Sequence, residues 1–127
     1  MSTGGQREAW DIPVSAMRVG DLVLTQAGGS ARLARLRPEA PEPAFDEAQS
    51  LPSKQARLLD FLMRHHRQIV SKSRLIEAVW GFDGATPGVL DVHMTRLRRA
   101  LQRVDTSGER VRIETRRGMG YALVVDE

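Results

Sequence analysis

Five apolar residues, Leu90, Met94, Leu97, Leu101 and Val104, recur at spacings of 4, 3, 4 and 3, and Thr86-Pro87 stands just ahead of them. That rhythm lays one stripe of an α-helix against a core, and a Pro at the first helical position behind a Thr cap marks its start. The spacing predicts a helix from Pro87 to near Arg103. Val92, Thr95, Arg96, Arg99 and Arg103 fall away from the stripe, with Arg98 and Gln102 beside them. One face of this helix is committed to packing, and the other displays four arginines.

Two shorter helices are expected upstream. Ser53 is a candidate N-cap for a helix with Ala56, Leu58, Leu59, Phe61, Leu62 and Met63 as apolar positions, ending near His65-His66. Residues 67–70 form a link to Ser71, the next cap. The second helix carries Leu75, Ile76, Ala78, Val79 and Trp80 and stops at Gly81, with a turn over 81–85. Downstream, after a break at 105–108, Val111, Ile113 and Thr115 alternate with Arg110, Arg112, Glu114 and Arg116. Tyr121, Leu123 and Val125 alternate again beyond Arg117-Gly118-Met119-Gly120. This is a hairpin whose tip is basic and glycine-bearing.

The first part of the chain is patterned more weakly. Residues 1–16 read as a flexible lead. The stretch MRVGDLVLT reads as one strand that turns at Ala27-Gly28-Gly29-Ser30 and pairs with ARLARL. Residues 37–46 read as a surface loop, because Pro38, Pro41 and Pro43 oppose regular structure. A short extended piece at 47–51 adds a third strand. The expectation is one α+β domain over 17–127, with an antiparallel sheet at 17–51 and three helices and a hairpin at 52–125.

Charge points to a partner. Seventeen of the 19 basic side chains are arginine, the fork-shaped donor that suits phosphates and base edges. Residues 1–53 carry five basic and seven acidic groups, and residues 54–127 carry fourteen and nine. The basic excess therefore lies with the helices and hairpin, as it would for a polyanionic ligand. An Arg-faced helix fits the major groove of duplex DNA, and a narrow basic hairpin tip fits the adjacent minor groove. Together they describe a winged helix-turn-helix, with helix 87–103 in the major groove and wing 116–120 in the minor groove. Arg99 joins the candidate contacts on the helix, and Arg116 on the wing.

Several chemistries fail on the residues. There is no cysteine, hence no thiolate site or disulfide framework. Adjacent His65 and His66 project about 100° apart on a helix and cannot chelate one ion. Gly118-Met119-Gly120 lacks the Lys-Ser/Thr and helix of a phosphate-cradling loop. No nucleophile motif is present, and no apolar run is long enough to span a membrane. A cytoplasmic protein with no enzymatic activity, cofactor or metal is expected.

Trp80-Gly81, the run Asp91-Val92-His93-Met94-Thr95-Arg96-Leu97-Arg98-Arg99-Ala100-Leu101, and Thr115-Arg116-Arg117-Gly118-Met119-Gly120-Tyr121 resemble the effector domain of OmpR/PhoB-type response regulators. LPSKQARLL at 51–59 is similar to that family's entry to its first helix. The likeness covers about 51–125 and extends back towards Met17. It implies the winged-helix fold, binding of double-stranded DNA at direct-repeat half-sites, and regulation of transcription initiation. It also implies that Val92, Thr95, Arg96 and Arg98 face the groove, with His93 near a phosphate and Arg117 in the minor groove. Thr115 and Tyr121 would lie at the wing's backbone contacts, and Trp80 near a phosphate through its indole N–H. Trp80 reads equally well as core packing, and Tyr121 as an anchor of the hairpin.

The family's phosphoacceptor receiver domain has no counterpart in residues 1–50, so a receiverless effector is expected. It would be a monomer off DNA that pairs on tandem half-sites. The alternative is a protein-binding module that modulates RNA polymerase or a cognate response regulator.

Overall fold

The computed structural model describes residues 14–27, 30–37, 44–45, 49–104 and 111–125. Seven strands and three helices follow in the order β1 (Val14–Val19), β2 (Leu22–Ala27), β3 (Ser30–Arg37), β4 (Ala44–Phe45), β5 (Gln49–Ser50), α1 (Ser53–Arg64), α2 (Lys72–Trp80), α3 (Pro87–Val104), β6 (Val111–Arg116) and β7 (Gly120–Val125). β1, β2, β3 and β4 form an antiparallel sheet in that order, with β5 also paired to β3. β6 and β7 form a separate hairpin, the wing. The α+β winged-helix architecture expected from the sequence is the one observed.

The stretch 17–25 is not one strand. The chain reverses at Gly20-Asp21, so Val19 sits opposite Leu22 and Met17 opposite Leu24. Gly20 takes a φ of 60°, which L side chains adopt only with strain, and it suits a two-residue hairpin turn. Asp21 then ion-pairs with Arg35 of β3 at 2.9 Å. Because the tight turn leaves Val19 and Leu22 facing each other, the apolar residues run on in sequence and disguise the reversal.

Three further boundaries differ from expectation. β1 opens at Val14, inside the expected lead, and residues 1–13 lie outside the described residues. The expected loop 37–46 is shorter, because Arg37 ends β3 and Ala44–Phe45 pairs back onto it. The rest of that loop, the turn at Gly28-Gly29 and the break at 105–108 lie outside the described residues. Ser53 is not the cap of α1 but its first helical residue. Pro52 holds the cap position, and its carbonyl accepts from the Ala56 N–H at 2.9 Å. The expected third strand at 47–51 is represented by β5, Gln49–Ser50, which pairs with Leu33 and Arg32 of β3; residues 47–48 lie outside the described residues.

One core joins sheet, helices and wing. Leu24 and Leu33 from the sheet meet Leu58, Leu59 and Leu62 of α1, Leu75 of α2, and Leu90, Met94 and Leu97 of α3. Leu123 enters from the wing. Each such fully buried side chain stabilises the fold by about 1.5–3 kcal/mol through removal of apolar surface from water. The expected stripe on α3 is buried over its whole length, and Ala100 is buried with it.

The link 67–70 is a structural edge rather than a plain connector. Val70 N–H donates to the Tyr121 carbonyl at 2.8 Å, and Tyr121 N–H returns the bond to the Val70 carbonyl at 2.9 Å. Arg67 N–H donates to the Leu123 carbonyl at 2.8 Å. The wing is thus stitched, backbone to backbone, to the chain just ahead of α2. Gly120 permits this approach: a Cβ there would lie 2.0 Å from the Val70 carbonyl oxygen, and its φ is 147°. Gly120→Ala should therefore destabilise the fold by about 3 kcal/mol. Thermal denaturation checks this against Gly118→Ala, which should cost less, since its φ of 76° brings backbone strain but a Cβ there meets nothing within 4 Å.

Candidate nucleic-acid interface

Local sequence sets the three elements that meet at the candidate site. Ser71 caps α2, its hydroxyl accepting from the Arg74 N–H at 3.2 Å, and Lys72 follows in the first turn. Thr86 caps α3, its hydroxyl accepting from the Val89 N–H at 3.2 Å. At the end of the wing, the Met119 N–H donates to the Arg116 carbonyl at 2.8 Å and closes the tip over Arg117, Gly118 and Met119.

The outward face of α3 exposes Val92, Thr95, Arg96, Arg99, Gln102 and Arg103. Val92 is 49% exposed, a large apolar side chain among guanidinium groups. The Thr95 hydroxyl donates to the Asp91 carbonyl at 3.0 Å, one turn back in the same helix, which leaves its methyl outward. At the wing tip, Arg117 and Met119 are exposed.

Arg98 differs from its neighbours. It is half-buried, its Nε donates to the Ile113 carbonyl at 3.1 Å, and its Nη2 donates to the Thr115 hydroxyl. Its guanidinium also lies 5.6 Å from the Tyr121 ring centroid. The donors of Arg98 are turned onto the wing, away from the outer face that carries Arg96 and Arg99. Thr115 is drawn into the same arrangement. Arg116 is half-exposed and pairs with Glu114 at 2.7 Å, while Glu114 also takes Arg112 at 2.8 Å.

Tyr121 is buried, and its hydroxyl donates to the Asp91 carboxylate at 2.5 Å. The Lys72 ammonium reaches the same carboxylate at 3.2 Å. The Tyr121 bond, assisted by Lys72, holds the Asp91 carboxyl below its ordinary value. Burial, with the Asp91 bond added, pushes the Tyr121 phenol up to about 12. Neither Lys72 nor Asp91, which opens the family-like run, is a candidate contact in the sequence. The available signal was a carboxylate at the head of a helix face otherwise rich in arginine.

Trp80 is partly buried against the core, and the His93 ring tilts against it at 5.3 Å between centroids. The Lys54 ammonium lies 5.9 Å from the Trp80 centroid. His93 Nδ1 is buried with no hydrogen-bond partner among the described residues. A bare buried acceptor costs less than a buried unpaired N–H, so the ring proton belongs on Nε2. Trp80 and His93 therefore form one aromatic contact between the ends of α2 and the first turns of α3.

Among the described residues, no helix is long and apolar enough to cross a membrane, and no group of three His, Cys, Asp or Glu side chains could hold a metal ion.

Residues 46–123 match the family model described as transcriptional regulatory protein, C terminal. The chain is similar to the heme response regulator HssR of Staphylococcus saprophyticus, 41% identical over 78 residues that make up 61% of this chain and 34% of that protein. It spans about a third of the length of the curated relatives HssR and Mycobacterium MprA. Among solved structures it is similar to the C-terminal domain of the nisin resistance regulator NsrR, at TM-score 0.63 and 28% identity, covering 87% of this chain and 98% of that one. It is also similar to the Klebsiella pneumoniae RstA DNA-binding domain in complex with RstA box, at TM-score 0.56 and 25% identity, covering 87% and 97%.

The chain has a single tyrosine, so phenolate absorbance reports Tyr121 alone. In the folded protein it should titrate near pH 12, against about 10 in denaturant. The stability Tyr121 adds is complete below about pH 10 and is lost as pH climbs towards 12. Asp91→Asn should lower the folded midpoint without bringing it to the denatured value, since burial of the ring remains.

Proposed function

The chain belongs to the family of transcriptional regulatory protein C-terminal domains, the OmpR/PhoB-type effector domains of response regulators, and from that premise we propose that it is a sequence-specific double-stranded DNA-binding regulator of transcription. The family is a class of transcription regulator and not an enzyme class. The carrying observation is the outer face of α3, where Val92, Thr95, Arg96, Arg99 and Arg103 are exposed beside a hairpin that ends in Arg117. In this reading α3 enters the major groove and the tip at 116–120 enters the minor groove. Arg96 makes the bidentate base contact, Val92 and the Thr95 methyl lie against thymine methyls, and Arg99 and Arg103 reach phosphates. Arg117 is drawn by the minor-groove potential. His93, as an Nε2–H donor, and Trp80 serve the backbone near the start of α3. Tyr121 and Thr115 anchor the wing, and Arg116, shared with Glu114, adds a weaker contact. Two copies would bind tandem half-sites about one helical turn apart, with the monomer as the state off DNA. The RstA domain, solved with its box, supports this reading by its likeness in fold.

A contact with RNA polymerase or another protein has its own support in Phe82, which is 84% exposed in the loop between α2 and α3. If that loop serves a protein partner, Phe82→Ala leaves DNA affinity unchanged and lowers transcriptional output.

DNA binding should weaken steeply with salt, each phosphate contact adding about −0.9 to the log–log slope. Arg96→Ala should cost about 1–3 kcal/mol and relax base preference at one position. Arg117→Ala should weaken binding and relax the preference for a narrow minor groove beside the α3 site, leaving the base preference under α3 unchanged. Titration of labelled duplex from about 50 mM salt upwards measures each of these. Absence of salt-dependent duplex binding at the low end overturns the reading.

A further inference from the structure

Four elements contribute to one chain of polar contacts behind the candidate interface. Lys72 of α2 meets the Asp91 carboxylate at 3.2 Å. Asp91 of α3 accepts the Tyr121 hydroxyl of β7 at 2.5 Å. Arg98 of α3 lies over the same Tyr121 ring and bonds both the Ile113 carbonyl and the Thr115 hydroxyl of β6. Thr115 and Tyr121 are directly opposite each other in the hairpin, one pair from the Arg116–Gly120 end. Asp91 and Arg98 are seven residues apart, so they lie on the same side of α3 about 10 Å apart along its axis.

This geometry has a mechanical meaning. The backbone bonds of Val70 with Tyr121 and of Arg67 with Leu123, with Ile113 and Leu123 buried in the core, hold the base of the hairpin, and its tip could still rock about that base. Two side chains from separate turns of α3, each holding a different strand of the wing, block that rocking. Neither grip requires DNA. The wing is therefore set at a fixed pitch to α3 before any ligand arrives.

We propose that Asp91 and Arg98 are positioning residues that fix the distance between what α3 reads and what the wing reads, and so make base-pair spacing a determinant of specificity. The proposal rests on the reading of α3 in the major groove and the wing in the minor groove. In a rigid pair of probes, one inserted base pair moves the second element about 3.4 Å along the DNA and turns it by roughly 35°. A rigid wing cannot follow that displacement, whereas a loosened wing can. Arg98 then acts through Thr115 and the Ile113 carbonyl instead of reading a base.

The test begins with the full chain and a random-sequence duplex pool, from which the wild type selects a preferred site. Guanine N7 methylation protection maps α3, and hydroxyl-radical protection of the minor groove maps the wing. Affinity is then compared for the selected duplex and for versions with one base pair inserted or removed between the two protected regions. Wild type should lose about tenfold or more on insertion. Asp91→Asn and Arg98→Ala should keep the N7 protection, blur the wing protection, and lose threefold or less on the order of the same insertion. Arg98→Lys, which keeps the charge but can serve only one of the two acceptors well, should fall between. Thermal melting confirms that each variant is folded. A spacing penalty in folded Asp91→Asn equal to that of wild type overturns the proposal. So does loss of N7 protection at one guanine in Arg98→Ala with the penalty intact, which would make Arg98 a base reader. A wild type that protects the major groove but shows no wing protection beside it instead overturns the groove assignment on which the proposal rests.

Discussion

The reciprocal backbone bonds between Val70 and Tyr121 are the constraint on which the rest of this molecule depends. They tie a two-stranded hairpin, which alone is marginal in water, to the chain ahead of α2 through an isolated bridge. They also bring Tyr121 to the side of α3, where its hydroxyl finds Asp91 and its ring finds Arg98. The approach exists because residue 120 has no side chain. A missing Cβ thus determines where the wing sits, and the side-chain contacts hold it there.

What the sequence shows most clearly is whatever follows helical periodicity. The buried stripe on α3, the Thr86 and Ser71 caps and the stop at Gly81 can be read directly, since apolar spacing and capping chemistry act within a few residues. The wing can be read from β6, where Val111, Ile113 and Thr115 alternate with Arg112, Glu114 and Arg116, whereas β7 is apolar from Tyr121 to Val125 and buried from Gly120 to Leu123. The reversal at Gly20-Asp21 is hidden because a two-residue turn preserves the apolar run. The pairing of residues 67–70 leaves no trace in side-chain pattern, because it is made by backbone groups that every residue possesses. The separate role of Arg98 is equally silent. In the sequence Arg96, Arg98 and Arg99 are alike, and only the position of Thr115 and the Ile113 carbonyl distinguishes one of them.

The electrostatics of the interface region are less one-sided than the arginine content suggests. Asp91 sits at the head of α3, and Glu114 lies between Arg112 and Arg116 on β6. Each acid engages two polar partners and keeps long cationic side chains in defined places. Flexible arginines would bind any polyanion, and the loss of side-chain freedom on binding would blunt selectivity. Carboxylates set among them trade bulk attraction for definition, which suits the sequence-specific reading of duplex DNA proposed above.

Strand β3 carries a different lesson. Its far end is paired with Ala44–Phe45, so that Arg37 and Ala44 lie opposite each other. A segment whose two ends are clamped side by side can change length cheaply, since doubling a flexible loop adds only about 0.6 kcal/mol of closure cost. Arg37 and Ala44 belong to β3 and β4, not to α3 or the wing. The chain therefore has an address at which peptide can be gained, lost or exchanged with little effect on the geometry of α3 and the wing. An insertion tag, a fluorophore or a grafted recognition sequence placed there would leave that working end undisturbed.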